Sequence, residues 1–219
     1  MLRIDWQKIS PNKKRYYLKI YYANRNITLL DESRYVFLLT VVERCLRHKG
    51  ALAECGVYKG GSALGISAVV LEKDACRPIH LFDTFDGVFR RFKSRNRFDY
   101  LHNFDDYSSE EVSARFSSLC NIQFHRGSIP ITLAEVKDKT FSFVHLDLNY
   151  YAPTKSALEF FYNHLSDEGI ILLDDYGFEM YRDHIKRAVD EFSNECCIEI
   201  TPVKTGQCLI CSSTLEVVY

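Results

Sequence analysis

The chain has 219 residues, 47% of them hydrophobic, and carries a formal net charge of -1 at pH 7. This length and composition allow a sizeable buried core within one domain. The small net charge argues against nucleic-acid binding through bulk electrostatics, and no apolar run approaches the roughly 18 residues that a membrane-spanning helix requires. The first residues also lack the apolar segment of a secretory signal. We therefore expect a cytoplasmic protein that binds neither nucleic acid nor membranes.

The N-terminal residues 1–30 are basic and rich in tyrosine, and they are predicted to form an arm or cap. They would serve as an oligomerisation arm or a flap over the site, although a helix packed on the domain is the simpler interpretation. The aromatic content indicates a homo-oligomer. Asp31 is a candidate N-cap for a helix that continues to Arg47 with its apolar positions on one face. Residues 31–219 are expected to form the domain itself.

A short apolar strand at 51–55 runs into a glycine-bearing turn and then into an apolar helix. Gly56, Gly60 and Gly61 let the backbone approach a ligand closely, and the first turn of the helix favours an anionic group. The spacing differs from G-x-G-x-x-G, so the turn alone is a moderate signal. The next strand ends at Asp83, where an acid can accept hydrogen bonds from a ribose, which indicates a cofactor with an adenosine half.

Residues 86–107 interrupt the alternation of strands and helices, as a lid or binding segment does in a compact α/β domain. This segment contains His102 and a group of cations that would steer an anionic acceptor into the site, although a merely solvated loop is an equal alternative. The cations are Arg90, Arg91, Lys93, Arg95 and Arg97.

Two apolar strands that end in acids give the strongest chemical signal. Residues 141–147 form a nearly continuous apolar run, typical of a parallel strand covered on both faces, which ends at Asp147 and is followed by Asn149. A second such run ends at Asp174 and Asp175. Because the helical pattern at 153–165 connects them in a βαβ unit, the three carboxylates are expected to converge in the crevice beyond the strand ends.

The rest of the pattern completes an α/β fold. A capped helix starts at Ser108, a strand follows at 121–126, and an amphipathic helix is predicted at 179–192. Strands at 197–203 and 207–212 are joined by a short connection and form an antiparallel hairpin. We predict a Rossmann-like, mostly parallel sheet with this C-terminal hairpin and with helices on both faces.

Eight cysteines are scattered along the chain, which favours free thiols over a disulfide framework. Cys208 and Cys211 have the C-x-x-C spacing of a zinc-ligand pair, but the sequence contains no second pair of this kind. Structural thiols are therefore favoured over a metal or redox site.

Five motifs, in this order, resemble those of the macrocin O-methyltransferase family within the class I S-adenosylmethionine-dependent methyltransferases. They are Glu54-Cys-Gly-Val-Tyr-Lys-Gly-Gly-Ser62, Phe82-Asp-Thr-Phe-Asp-Gly87, Gly127-Ser-Ile-Pro130, His145-Leu-Asp-Leu-Asn-Tyr-Tyr-Ala-Pro-Thr154 and Leu173-Asp-Asp-Tyr-Gly177. The resemblance covers about residues 28–212. It implies a seven-stranded sheet, binding of S-adenosylmethionine, and methylation of a sugar or polyol hydroxyl of a small molecule or glycan in natural product biosynthesis.

The same resemblance implies roles for individual residues. Glu54 and Gly56 would lie near the methionine half of the cofactor, Asp83 at its ribose and Ser128 near its adenine. The remaining residues assigned to the cofactor site are Tyr58, Gly60, Ser62, Thr84 and Asp147. The metal ligands of the family, usually for Mg²⁺, correspond to Asp147, Asp174 and Asp175. Such a metal would position the acceptor hydroxyl and lower its pKa.

Asn149 departs from the family pattern, in which many members have an Asp proposed as the general base. Because an amide cannot accept a proton at a useful pH, the candidates for the base are His102, Asp175 or a metal-bound hydroxide. Two alternatives follow from Asn149: a pseudoenzyme that binds S-adenosylmethionine without turnover, and an N-methyltransferase on the same fold. His145, within the strand, is predicted to be a core histidine.

Overall fold

A seven-stranded sheet forms the centre of the computed structural model, which describes residues 2–4, 9–74, 76–85, 107–212 and 215–217. Two strands outside this sheet, β1 (Leu2–Ile4) and β9 (Leu215–Val217), pair in parallel with each other. The strands of the main sheet are β2 (Ala51–Cys55), β3 (Ile79–Asp83), β4 (Ile122–Arg126), β5 (Phe141–Leu146), β6 (Leu165–Leu173), β7 (Thr201–Pro202) and β8 (Cys208–Cys211).

The order of strands across the main sheet is β4-β3-β2-β5-β6-β8-β7. All pairs from β4 to β6 are parallel, whereas β8 is antiparallel to both β6 and β7. This arrangement confirms the predicted fold class, including the antiparallel hairpin at the C-terminal end.

The described residues include six α-helices, of which the first, second and fourth begin at a side-chain N-cap. They are α1 (Pro11–Asn24), α2 (Glu32–Cys45), α3 (Gly61–Lys73), α4 (Ser109–Arg115), α5 (Tyr151–Tyr162) and α6 (Arg187–Cys196). Asp31 caps α2 by accepting hydrogen bonds from two backbone N–H groups, and Ser108 forms a capping box with Glu111 at α4. Helix α1 packs against α2 and α3, as the simpler interpretation of the N-terminal segment predicts. In the described ranges, no helix has both the length and the apolar character to cross a membrane.

The main sheet separates two apolar cores. Side chains alternate across a strand, so Phe143 of β5 and Leu172 of β6 pack in the core that contains α1, α2 and α3. Their neighbours Val144 and Leu173 pack in the core that contains α5 and α6. Because both faces of β5 and of the second half of β6 are covered, their sequences are mostly apolar, with Ser142 and His145 as buried polar exceptions in β5.

Two predicted boundaries were wrong. The helix predicted at 179–192 begins with a 3₁₀ turn (Glu179–Tyr181) and a π-helical segment (Arg182–Lys186) before α6. The strand predicted at 197–203 is reduced to Thr201–Pro202. The reason is that Cys197 takes a left-handed conformation, with φ of 54°, and ends α6 where the strand was expected to begin.

Cys208 and Cys211 lie on the same strand, three positions apart. Cys208 belongs to the core beside α5 and α6, whereas Cys211 packs against the opposite core. Since they face opposite sides of the sheet, the two thiols are not arranged as a pair of ligands for one metal ion. The pair therefore has the structural role that the sequence favours.

Candidate functional site

The carboxyl ends of four parallel strands lie at one edge of the sheet. Cys55 of β2 pairs with both Phe82 of β3 and Leu146 of β5, and Leu146 pairs with Leu173 of β6. The residues that follow these strands therefore emerge together, as expected for an open α/β sheet. They line a cavity of about 610 Å³.

Most of the predicted site residues lie in the wall of this cavity. They are Gly56, Tyr58, Ser62, Asp83, Thr84, Ser128, Asp147, Asn149, Asp174 and Asp175. Glu54 and Gly60 are not among the residues that line it. His102 and the predicted lid, apart from Tyr107, lie outside the described residues.

Glu54 lies inside the sheet rather than at its edge. Its carboxylate Oε1 lies 2.8 Å from Nδ1 of His145 on the neighbouring strand, and both side chains are fully buried. His145 is thus a core histidine, as predicted. The contact of Glu54 with the methionine half of a cofactor stays a prediction.

The turn after β2 brings two backbone segments unusually close. Gly56 has a φ of 89°, and a Cβ built at this position would lie 1.8 Å from the carbonyl oxygen of Asp147. Only glycine fits this position. At the start of α3, the N–H of Gly61 donates to the carbonyl oxygen of Ile27 at 3.1 Å. This N–H group was one of the donors predicted to bind an anion, and in the structure it is already hydrogen-bonded to the backbone.

Asp83 holds this turn in place. Its Oδ2 accepts hydrogen bonds from the backbone N–H groups of Val57 at 2.7 Å and Tyr58 at 2.9 Å. Its Oδ1 accepts one from the backbone N–H of Phe85 at 2.9 Å. Oδ1 also accepts long hydrogen bonds, of 3.4 and 3.5 Å, from the hydroxyls of Tyr107 and Thr84. A carboxylate offers about four lone-pair sites, so a ligand hydroxyl at Asp83 would take the place of one of these two long contacts.

Asp147, Asp174 and Asp175 form a cluster of carboxylates whose candidate ligand oxygens all lie within 4.8 Å of one another. Burial, and then repulsion by the other two acids, raises the pKa of Asp147 well above its usual range. Burial also raises the pKa of Asp174, although the positive charge of Arg34 opposes the shift. Burial and the neighbouring Asp174 raise the pKa of Asp175 to about 7.

Arg34 is a cavity residue that sequence analysis did not assign to the site. Its Nη1 donates to Asp174 Oδ2 at 2.6 Å and to Asp175 Oδ1 at 3.2 Å. Its Nε donates to Oδ2 of the N-cap Asp31 at 2.9 Å. The N-cap was a visible signal for the position of Arg34 in the first turn of α2, but no local pattern connects it to acids 140 residues away.

The acid cluster fits a divalent cation. Among the described residues, the three carboxylates of this cluster are partly neutralised by one guanidinium, which pairs with Asp174 and Asp175, so an excess of negative charge remains when all three are ionised. Within the described part of the chain, the buried Oδ1 of Asp174 has no hydrogen-bond partner. A hard cation such as Mg²⁺ takes carboxylate oxygens and would satisfy both the charge and this oxygen.

Comparison with known proteins identifies the family. A family model described as macrocin O-methyltransferase matches residues 23–205. The chain belongs to this family. One curated relative is an 8-demethyl-8-(2,3-dimethoxy-alpha-L-rhamnosyl)-tetracenomycin-C 4'-O-methyltransferase from Streptomyces olivaceus, 26% identical over 147 residues. The match covers 62% of this chain and 56% of the relative, so the chain spans little more than half the length of that protein.

Two solved structures share the fold of this macrocin-family chain. The O-methyltransferase NovP has a TM-score of 0.65 at 22% identity, over 82% of this chain and 81% of its own. The calicheamicin methyltransferase CalS11 has a TM-score of 0.65 at 18% identity, over 94% of this chain and 95% of its own. The family inferred from the five motifs and the fold that it implies are therefore both confirmed.

Proposed function

We propose that this chain is an S-adenosylmethionine-dependent O-methyltransferase that acts on a sugar hydroxyl of a small molecule or glycan. The observation that carries the proposal is a single cavity at the carboxyl edge of the sheet. The glycine turn and Asp83 share this cavity with the carboxylates of Asp147, Asp174 and Asp175. A cofactor and an acceptor hydroxyl would thus meet in one place. Membership of the macrocin O-methyltransferase family supports the same activity.

The cofactor would lie along the turn after β2 and the end of β3. Gly56 and Asp83 line this part of the cavity. The hydroxyls of a ribose would replace the long contacts of Asp83 with the Tyr107 and Thr84 hydroxyls. Ser62 in the first turn of α3 and Ser128 after β4 also line the cavity. Tyr58 and Thr84 complete the predicted contacts from the same wall.

Asp147, Asp174 and Asp175 would hold a divalent cation such as Mg²⁺. When bound, such a cation would lower the pKa of an acceptor hydroxyl and stabilise the developing charge. The chain itself supplies the position, because the three acids follow strands that are fixed on both sides by the sheet. A fixed acceptor geometry is a large part of the rate acceleration in such reactions.

Proton removal is assigned to Asp175 among the described residues. Without a cation its pKa is about 7. A bound cation would lower this pKa, so Asp175 would accept the proton through an oxygen that the cation does not hold. Asn149 lines the cavity with a φ of 60°, and its amide can orient a hydroxyl by hydrogen bonds but cannot take the proton. His102 stays a prediction as the alternative base.

The acceptor is proposed to carry an apolar group beside the sugar. Leu29, Phe178 and Met180 line the cavity and are 51%, 37% and 54% exposed. Exposed apolar side chains at a cavity suit an apolar ligand. The S. olivaceus relative is named for 4'-O-methylation of a rhamnosyl tetracenomycin, which is an acceptor of this kind.

The test is transfer of a labelled methyl group from S-adenosylmethionine to a panel of glycosylated acceptors, with Mg²⁺ and with EDTA. We expect methylated product with Mg²⁺, and a loss of at least about 100-fold in Asp147→Asn, the upper range for changes around metal ligands. The exposed Asp167→Asn on β6 is the matched control and should keep the activity. If S-adenosylhomocysteine does not bind to the protein, the proposed function is wrong.

Asn149 in the cavity wall supports a second candidate function, N-methylation of an amino sugar. A neutral amine needs little help from a base, so an amide at this position would suffice. The position of the label in the product distinguishes nitrogen from oxygen. Cofactor binding without turnover on either acceptor class would instead favour the pseudoenzyme.

A further inference from the structure

Arg34 and a divalent cation would bind the same carboxylates. We propose that Arg34 is a built-in counter-ion of the acid cluster, which competes with a divalent cation for Asp174 and Asp175 and so sets the affinity of the site for that cation. The proposal rests on the metal site of the proposed function. It adds a residue that contributes no metal ligand and belongs to α2, outside the βαβ unit that carries the acids.

One guanidinium nitrogen of Arg34 contacts both acids. Nη1 of Arg34 bonds to oxygens of both Asp174 and Asp175, at 2.6 and 3.2 Å. Only 14% of the Arg34 side chain and 1% of the Asp174 side chain is exposed, so solvent screens the pair weakly. A divalent cation at the same carboxylates would lie within a few ångströms of the guanidinium. The two positive charges therefore oppose each other.

Arg34 also has partners outside the acid cluster. Its Nε bonds to Asp31 at 2.9 Å, and its Nη2 donates to the carbonyl oxygen of Leu29 at 3.1 Å. Its guanidinium carbon lies 5.2 Å from the centroid of the Phe178 ring. Loss of the Asp174 and Asp175 contacts thus leaves the guanidinium paired and local. A competitor held in this way acts at high effective concentration.

Arg34 also contacts the cavity wall. Leu29, which accepts a hydrogen bond from Arg34, belongs to the segment 27–30 that lines the cavity. This segment and the acids are joined through one side chain. Occupancy of the acid cluster by a cation would therefore leave the Leu29 contact in place and remove the link between this segment and the acids.

The opposite role predicts the opposite result. If Arg34 instead oriented the two acids for a metal, its removal would disorder the ligands and weaken cation binding. If Arg34 competes, its removal strengthens cation binding. Cation affinity separates the two roles without any measurement of methyl transfer.

The experiment is a titration of the full chain with Mn²⁺, in which free Mn²⁺ is measured by electron paramagnetic resonance. We expect Arg34→Gln to bind Mn²⁺ about tenfold more tightly than the wild type, or more, because a nearby positive charge is removed. Arg34→Lys keeps the charge and should bind close to the wild type. Arg182→Gln removes an exposed cation that pairs with Glu179 and should change nothing. Equal or weaker binding in Arg34→Gln overturns the proposal.

Asp31→Asn provides the test in the other direction if Arg34→Gln does not fold. An asparagine can still cap α2, but it removes the charged partner of Arg34 Nε, which leaves the guanidinium more strongly committed to the acid cluster. Mn²⁺ binding should weaken, and unchanged or tighter binding overturns the proposal. Asp174→Asn distinguishes a failure of the metal site from a failure of the competition by Arg34. Binding that is lost in Asp174→Asn but not tightened in Arg34→Gln overturns this inference alone, whereas no Mn²⁺ binding in the wild type overturns the metal site as well.

Discussion

Asp175 is a buried carboxylate whose ionisation opposes folding. Burial and Asp174 raise its pKa to about 7 in the folded protein, against about 4 in an unfolded chain. The folded protein therefore binds more protons between these pH values. This contribution to stability is present below about pH 4 and is lost as pH rises through about 7. In EDTA at pH 8, we expect Asp175→Asn to exceed the wild type in free energy of unfolding by about 2 kcal/mol.

Urea unfolding at pH 5 and pH 8 measures this difference. The advantage of Asp175→Asn should shrink at pH 5, where the wild-type carboxyl is mostly protonated. The exposed Asp167→Asn serves as the control, because its charge is already solvated. An advantage of equal size at both pH values would contradict the assignment to the Asp175 charge.

The contribution of His80 to stability changes with pH in the opposite direction. Burial, and then the nearby His125, lower its pKa to about 4, and its Nδ1 lies 2.9 Å from Nε2 of His125. An unfolded histidine has a pKa of about 6.5. Stability from the neutral imidazole is thus present above about pH 6.5 and is lost as pH falls through about 4. An NMR titration of the His80 ring should show a midpoint near pH 4. A midpoint above about 6 would disprove the effect of burial.

Residues at strand ends could be predicted because their position depends on a local pattern. Asp83, Asp147 and Asp174 each follow an apolar run, and parallel strands bring such residues to one edge. Arg34 could not be found in this way, because its contacts join α2 to the end of β6. The pairing of Glu54 with His145 also depends on the register of β2 with β5, which the sequence does not show.

Gly56 and Gly60 lie in and beside the β2–α3 turn. Comparing their alanine variants separates the stability lost through backbone conformation from the stability lost through steric overlap. Gly56 and Gly60 have nearly equal φ values of 89° and 88°. An added Cβ at Gly56 meets the backbone of Asp147 at 1.8 Å, whereas at Gly60 it meets the ring of Phe116 at 3.0 Å. A ring can move and a strand end cannot. We expect Gly56→Ala to lose at least about 2 kcal/mol more stability than Gly60→Ala.

Thermal and urea unfolding of the two variants test this expectation. Alanine at a positive φ should cost both variants the same amount of stability. The difference between the two variants therefore reports the steric overlap alone. Similar losses in the two variants would mean that the strand ends can separate after all. That result would also weaken the view that Gly56 fixes the distance between the turn after β2 and Asp147.

At the level of elements, regular patterns were predictable and irregular ones were not. Continuous apolar runs and capping residues identified β2, β5, β6, α2 and α4. The segment Glu179–Lys186 was assigned to a helix, but amphipathic spacing does not distinguish an α-helix from its 3₁₀ and π variants. This irregular start matters for the site, because it includes Tyr181 in the cavity wall.

In the molecule as a whole, the cavity connects the two halves of the structure. Its wall includes residues that precede α2, on the side of one core, and residues in and beside α5, on the side of the other. The main sheet joins both halves through continuous hydrogen-bonded pairs. A ligand in this cavity therefore contacts elements from both sides, so its binding energy should add to the stability of the whole described fold.

Binding of S-adenosylhomocysteine is the global test of this arrangement. A ligand that binds only the folded state stabilises it by about 2.7 kcal/mol at 100 times its Kd, which corresponds to a rise in Tm of about 5–10 °C for a chain of this size. By calorimetry, we expect one cooperative unfolding transition that shifts to higher temperature as a whole when the ligand is added. In Asp83→Asn the same ligand concentration should give a smaller rise relative to the variant without ligand, because the amide is a weaker acceptor for ribose hydroxyls. A rise in Tm equal to that of the wild type would contradict a contact between Asp83 and the ligand. No rise in the wild type would contradict binding of the cofactor in this cavity.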